Sequence, residues 1–190
     1  IAQAPVAATF ANPVLDGDFP DPTVIRAPDG SYYAYATQSE RNGRMLNIQV
    51  AHSSDLVHWQ HLGDALPTKP GWASKTQDFW APSVIYDGTT YFMYYSATPD
   101  FCHRHERGHA LAVATSNSPS GPFVDMGMPL LLGAGFEYID PMAFDDPVTG
   151  KRLLYWGSGF QPIKVQELSA DRMSFLPDSA PLDLISPNGK

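Results

Sequence analysis

The chain has 190 residues, 43% of them hydrophobic, which is enough for one full core and too few for several domains. Its formal charge of -8 leaves no basic stripe of the kind that nucleic acid or an anionic membrane surface rewards. No apolar run approaches the roughly 18 residues of a membrane span, and the single cysteine, Cys102, has no intrachain partner for a disulfide.

The opening stretch, Ile1 to Ala8, is small and apolar like the end of a secretory leader or the spacer after one, and residues 1–11 read as an extension before the folded part. Thr23 to Arg26 then predicts a short strand, Pro28-Asp29-Gly30-Ser31 a turn, and Tyr32 to Thr37 the returning strand. Asn47 to His52 predicts a third strand, leading through Ser53-Ser54-Asp55-Leu56 to a fourth at His58 to Leu62.

A second unit repeats this order with Ala81 to Ile85, the turn Tyr86-Asp87-Gly88-Thr89, the run Tyr91 to Ser96, and Ala110 to Thr115; a polar turn, Ser116 to Pro122, closes on the aromatic Phe123. The third has Asp140 to Phe144, a turn at Asp145 to Gly150, Leu153 to Ser158, Ile163 to Leu168, and a fourth strand expected near Met173-Ser174-Phe175-Leu176. Long loops are expected at Gly63 to Phe79 and Met126 to Ile139.

The units share a phrase. It reads Asp21-Pro22-Thr23-Val24-Ile25, Ala81-Pro82-Ser83-Val84-Ile85 and Asp140-Pro141-Met142-Ala143-Phe144, with prolines at 22, 82 and 141 and steps of 60 and 59 residues. Four strands per unit at a fixed period is the content of a propeller blade. Propellers usually have about 4 to 8 blades, so three units imply an all-β ring of which part is missing, with two sheet faces left for further blades to cover. In such a ring equivalent positions converge on the axis, and two of the three copies put an aspartate there.

The phrases Phe19-Pro20-Asp21-Pro22-Thr23-Val24-Ile25-Arg26, Asp78-Phe79-Trp80-Ala81-Pro82-Ser83-Val84, Ile139-Asp140-Pro141 and Leu154-Tyr155-Trp156-Gly157-Ser158, after Asn12-Pro13-Val14-Leu15, resemble glycoside hydrolase family 43. The resemblance runs from about Asn12 to the end of the chain. It implies a five-bladed β-propeller, of which residues 12–190 supply about three blades, and an inverting glycosidase acting on arabinan or xylan.

Inversion requires one carboxylate to deprotonate a water and one carboxylic acid to protonate the leaving oxygen, about 6.5 to 9.5 Å apart. By the resemblance, Asp21 is the general base and Asp140 a third carboxylate that modulates and orients the acid. Trp80 is the sugar-stacking aromatic, and Phe101 and Ser158 are substrate contacts. The family's glutamate acid follows the third aspartate by about one blade, which is expected beyond Lys190, in the same polypeptide or a companion chain. Glu137 and Glu167 are the nearest alternatives, and neither sits at the repeat position.

The expected activity is release of α-L-arabinofuranosyl units from arabinan or arabinoxylan, with β-xylosidase the rival within the family. A non-catalytic glycan-binding propeller and a purely structural repeat protein are the rivals outside it. Plant cell-wall polysaccharide is the expected partner, without nucleic acid or membrane, at a secreted or periplasmic location. No cofactor is required, and the resemblance leaves room for a structural calcium at the axis.

Plainer readings compete. An Asp-Pro pair also starts strands as an Asx-type turn, and Trp80 would also suit a core. The run Cys102-His103-Arg104-His105-Glu106-Arg107-Gly108-His109 has zinc-ligand types but no standard spacing, so it reads as a solvated loop at the pocket rim whose histidines or arginines meet sugar hydroxyls.

Overall fold

A computed structural model describes residues 10–100, 108–158 and 161–186. Three antiparallel sheets follow one another along the chain. The first, in the order β1-β2-β5-β6, uses Thr23–Arg26, Tyr32–Ala36, Gln49–Ser53 and Trp59–Asp64. Between its second and third strands a separate hairpin, β3 (Ser39–Arg41) and β4 (Arg44–Leu46), stands apart from the sheet.

The second sheet joins β7 (Phe79–Tyr86), β8 (Tyr91–Ala97) and β9 (Gly108–Ser116), and the edge of β9 is shared by β10 (Val124–Asp125) and β11 (Leu131–Ala134). Residues 126–139, expected as loop, therefore include a strand. The third sheet runs β12-β13-β14-β15, from Met142–Asp145, Arg152–Trp156, Ile163–Glu167 and Leu182–Ile185.

The first turn of each unit is made by the same chemistry. Asp29 accepts the Ser31 N–H at 2.9 Å, Asp87 those of Thr89 and Thr90 at 2.9 Å each, and Asp146 that of Val148 at 2.9 Å. An aspartate that bonds its own backbone two residues on makes an Asx turn. These bonds favour the charged carboxylate, so all three acids are held below the usual aspartate value, the Ser31 hydroxyl acting first at Asp29, the Thr90 N–H at Asp87 and the Thr149 hydroxyl at Asp146.

Strand alternation builds two cores with the second sheet between them. On β8, Met93 and Tyr95 point into a cluster with Tyr35, Val50 and Phe79, while Phe92 and Tyr94 join Leu111, Leu154 and Trp156 on the other side. Every residue of β8 is buried. The outer sheets are covered on one side only. Along β15 all four residues are exposed, with Leu182 at 61% and Ile185 at 67%, and Met142 and Phe144 on β12 are open too.

On the opposite flank Val24 is 49% exposed and, with Val14, Leu15, Phe19 and Trp59, lines an apolar cavity of about 620 Å³. Soluble monomers rarely leave such faces bare.

The fourth strand of the third unit is not where the sequence predicts it. Phe175 makes only a bridge to Leu168, and the Leu176 N–H adds one bond to the Glu167 carbonyl at 2.8 Å. Pro177 then has no N–H to extend the ladder, and Asp178 turns the chain at φ 64. The edge position on β14 is taken by β15 instead.

Candidate active site

The repeated phrase brings its three copies together. Asp21, Pro22 and Thr23, Ala81, Pro82 and Ser83, and Asp140, Pro141 and Met142 line one cavity of about 230 Å³ where β1, β7 and β12 meet. At the residue before each proline the backbone is left-handed, with φ 50 at Asp21, 44 at Ala81 and 55 at Asp140. Non-glycine residues rarely adopt this region, and a following proline already restricts them. Three equivalent excursions at one cavity mark a place where the surrounding structure imposes the conformation. Aspartate tolerates it better than alanine.

Hydrogen bonds tie the copies to one another. The Thr37 hydroxyl, at the end of β2, donates to Asp21 Oδ2 at 2.7 Å and accepts the Ala81 N–H at 2.8 Å. One side chain thus orients the first carboxylate and holds the strained backbone of the second copy. The Ser83 hydroxyl accepts the Ala143 N–H at 3.2 Å, and the Ser96 hydroxyl that of Asp140 at 3.1 Å.

Asp140 keeps solvent contact, with its backbone held by Ser96 at the cavity. Partial burial first, and the nearby charge of Asp21 second, raise its carboxyl above the usual aspartate value, against a smaller lowering by His109. Two carboxylates that sense each other across one cavity are an arrangement that acid–base chemistry uses.

Trp80 is half-buried at the start of β7, where the strand is bulged between Trp80 and Ser83. Its ring lies 4.5 Å from that of His109 and 6.3 Å from that of Phe136, in the second case nearly parallel at 13°. Ser158 is buried just past Gly157, whose N–H donates to the carbonyl of Ile139 at 3.0 Å, and it does not line the axial cavity. Phe101 and residues 102–107 of the histidine-rich run lie outside the described residues.

His109 does not belong to a rim loop: it is 3% exposed on β9, because strand pairing with β8 and β11 carries it into the interior. Neither alternative acid lines the cavity. Glu167 is engaged by Lys151 at 3.1 Å on β14, and Glu137 precedes Tyr138, whose hydroxyl is shifted upward first by burial and then by the charge of Glu137. Among the described residues no group of three or more His, Cys, Asp or Glu is gathered in one place. No helix among them is long and apolar enough to cross a membrane.

Thr37, Ser96, Phe136 and the β3–β4 hairpin were not legible as site features from sequence. The hairpin had a signal, Asn42-Gly43, whose φ values of 53 and 76 suit a two-residue turn. It walls a further cavity of about 290 Å³ with Gly17 and Asp18.

Three antiparallel sheets whose repeated inner ends carry carboxylates to a shared cavity define a propeller-like fold with an acidic axial site. The chain belongs to the family described as Glycosyl hydrolases family 43, which matches residues 10–182. It is 31% identical over 183 residues to a xylan 1,3-beta-xylosidase of a Vibrio species, covering 87% of this chain and 31% of that protein.

Over 182 residues it is 30% identical to a probable arabinan endo-1,5-alpha-L-arabinosidase A of Aspergillus flavus, covering 92% of this chain and 53% of the relative. Its fold superposes on the crystal structure of a thermostable family-43 glycoside hydrolase with a TM-score of 0.71 at 29% identity, covering 93% of this chain and 57% of the other. The chain thus spans between about a third and about half of the length of these curated relatives.

Proposed function

We propose that this chain carries the base side of an inverting glycoside hydrolase that releases α-L-arabinofuranosyl units from arabinan or arabinoxylan. The observation that carries the reading is the shared cavity itself, with Asp21 and Asp140 at equivalent repeat positions, both backbones left-handed, and the Asp140 carboxyl raised by burial and then by the charge of Asp21.

In this reading Asp21, aimed by the Thr37 hydroxyl, takes a proton from the attacking water. Asp140, whose carboxyl is pushed above the usual aspartate value by burial and by Asp21, orients the acid, and Trp80 supports the sugar. Proton donation to the leaving oxygen falls to a glutamate of a further repeat, and repeats of the same kind cover the exposed β12–β15 face and the apolar flank of the first sheet. Residues 12–190 then supply about three blades of a five-bladed propeller domain. Phe101 and Ser158 remain proposed substrate contacts, and a secreted or periplasmic location follows from the polysaccharide substrate.

A β-xylosidase is the second reading, because one relative is named for β-xylosidase action on xylan and another for arabinan. Substitution of Asp21 by alanine in the natural protein tests the assignment. Turnover is expected to fall on the order of 10² to 10⁴, the range of general-base catalysis, with sugar affinity little changed. Near-normal turnover would sink it, and a wild-type protein that binds oligosaccharides without cleaving any of them would favour the glycan-binding alternative.

A further inference from the structure

His109 ends the run of histidines and arginines that stands out in the sequence, and the proposed chemistry leaves it unused. Its Nδ1 lies 2.9 Å from the carbonyl oxygen of Gly135. A carbonyl only accepts, so Nδ1 carries the hydrogen. Its Nε2 is buried without a hydrogen-bond partner among the described residues. The ring centre is 4.5 Å from that of Trp80, tilted by 32°, and 5.0 Å from that of Phe136, tilted by 24°.

Of the three rings only the imidazole is buried: it is 3% exposed, Trp80 is half-buried, and Phe136 is 43% exposed. The hidden ring therefore backs two rings that reach solvent and lie within 13° of parallel.

Burying a ring nitrogen with no partner is unfavourable, and a phenyl group would fill the same space without that penalty. What imidazole supplies and phenyl does not is the N–H held by Gly135. That glycine sits at φ 63 in the turn after β11 and immediately precedes Phe136. The ring sets Trp80 and the hydrogen bond sets the turn that presents Phe136.

We propose that His109 is a positioning residue that fixes Trp80 and Phe136 as one aromatic surface, and that Phe136 is a second sugar-stacking position beside Trp80. An oligosaccharide long enough to cross both rings would gain from both, because C–H groups of a sugar lie against the electron-rich faces. The inference rests on the sugar site proposed at Trp80 and adds to it a preference for chain length.

The test is calorimetric titration of the natural protein carrying Asp21→Ala, so that sugars are bound and not cleaved, and of four further variants in that background, with arabinose, arabinotriose and xylotriose. Phe136→Ala, at an exposed position, is expected to weaken binding of a trisaccharide about 3- to 10-fold, the range for one aromatic contact, and to leave binding of the monosaccharide unchanged. His109→Phe keeps a ring and loses the donor, while His109→Asn keeps a donor and loses the ring. His109→Phe, which still backs Trp80 with a ring, is expected to reproduce the trisaccharide loss with the same indifference to arabinose, and His109→Asn, which removes that ring, to weaken binding of arabinose as well.

Trp80→Ala separates the two layers of the argument. If it binds every sugar like the Asp21→Ala parent, the sugar site itself is wrong. If Trp80→Ala weakens binding but Phe136→Ala and His109→Phe bind trisaccharide normally, the site stands and this inference is overturned. An equal loss for mono- and trisaccharide in Phe136→Ala also overturns it.

Discussion

Replacing Thr37 with valine removes a hydroxyl and preserves the shape of the side chain. In the structure that hydroxyl donates to Asp21 Oδ2 at 2.7 Å and accepts the Ala81 N–H at 2.8 Å, and Thr37 is only 9% exposed. Valine leaves the Ala81 amide without its acceptor at a backbone already strained at φ 44. An unsatisfied buried donor costs about 1–3 kcal/mol, and a hydrogen bond to a charged group is worth about 1.5–3 kcal/mol. Because Asp21 retains solvent, only part of the second figure is lost, and a net destabilisation of about 2–4 kcal/mol is expected from these values.

The catalytic consequence is larger than a surface change would produce, since a misplacement of about 1 Å can cost on the order of 10²-fold in rate. Denaturant midpoints and steady-state kinetics on Thr37→Val and Thr37→Ser check both parts. Serine keeps the hydroxyl and is expected to keep most of the turnover, whereas valine is expected to lower kcat by about 10- to 100-fold with KM little changed. Wild-type turnover in Thr37→Val, or equal damage in both variants, would refute the proposed orientation of Asp21.

Two other perturbations follow from the structure. Asp140 has a carboxyl raised above its ordinary value of 3.8 by burial and by Asp21, so its contribution to stability is present below that value and is lost as pH rises through the folded-state value. Asp140→Asn is therefore expected to be more stable than the wild type at neutral pH, with the gain shrinking as pH is lowered into the usual carboxylate range, and to be catalytically impaired; thermal midpoints across pH measure the former, and a pH-independent or opposite difference would contradict it. Gly133 has the Tyr138 ring against it, with Cε2 only 2.3 Å from where a Cβ would stand, so Gly133→Ala is expected to destabilise by about 1–3 kcal/mol, measurable as a shift in denaturant midpoint.

Much of the fold was legible because the phrase repeats at a nearly constant step and each copy is followed by an Asp-containing turn. Asp29, Asp87 and Asp146 form that turn in the structure through the same backbone bonds, and the periodicity placed Asp21 and Asp140 around one cavity. What escaped depends on tertiary context. Thr37 reads as an ordinary strand end until the second copy of the phrase is folded against it.

His109 follows a charged, loop-like run, yet pairing with β8 and β11 carries it inward. The misplaced fourth strand of the third unit has a local cause in Pro177, which ends the ladder begun at Phe175 and leaves the edge to β15. The Asn42-Gly43 turn carries a local hairpin signal, but only the folded chain shows that this hairpin stands apart from the sheet and walls a cavity with Gly17 and Asp18.

The anomeric configuration of the first-formed sugar tests the central claim most directly. Proton NMR of the natural protein acting on an α-L-arabinofuranosyl substrate, read before mutarotation equilibrates the product, is expected to show the β anomer, because Asp21 activates a water on the face opposite the leaving group. An α anomer formed first would mean a covalent sugar–enzyme intermediate, and would contradict the assignment of Asp21 as a base acting through water.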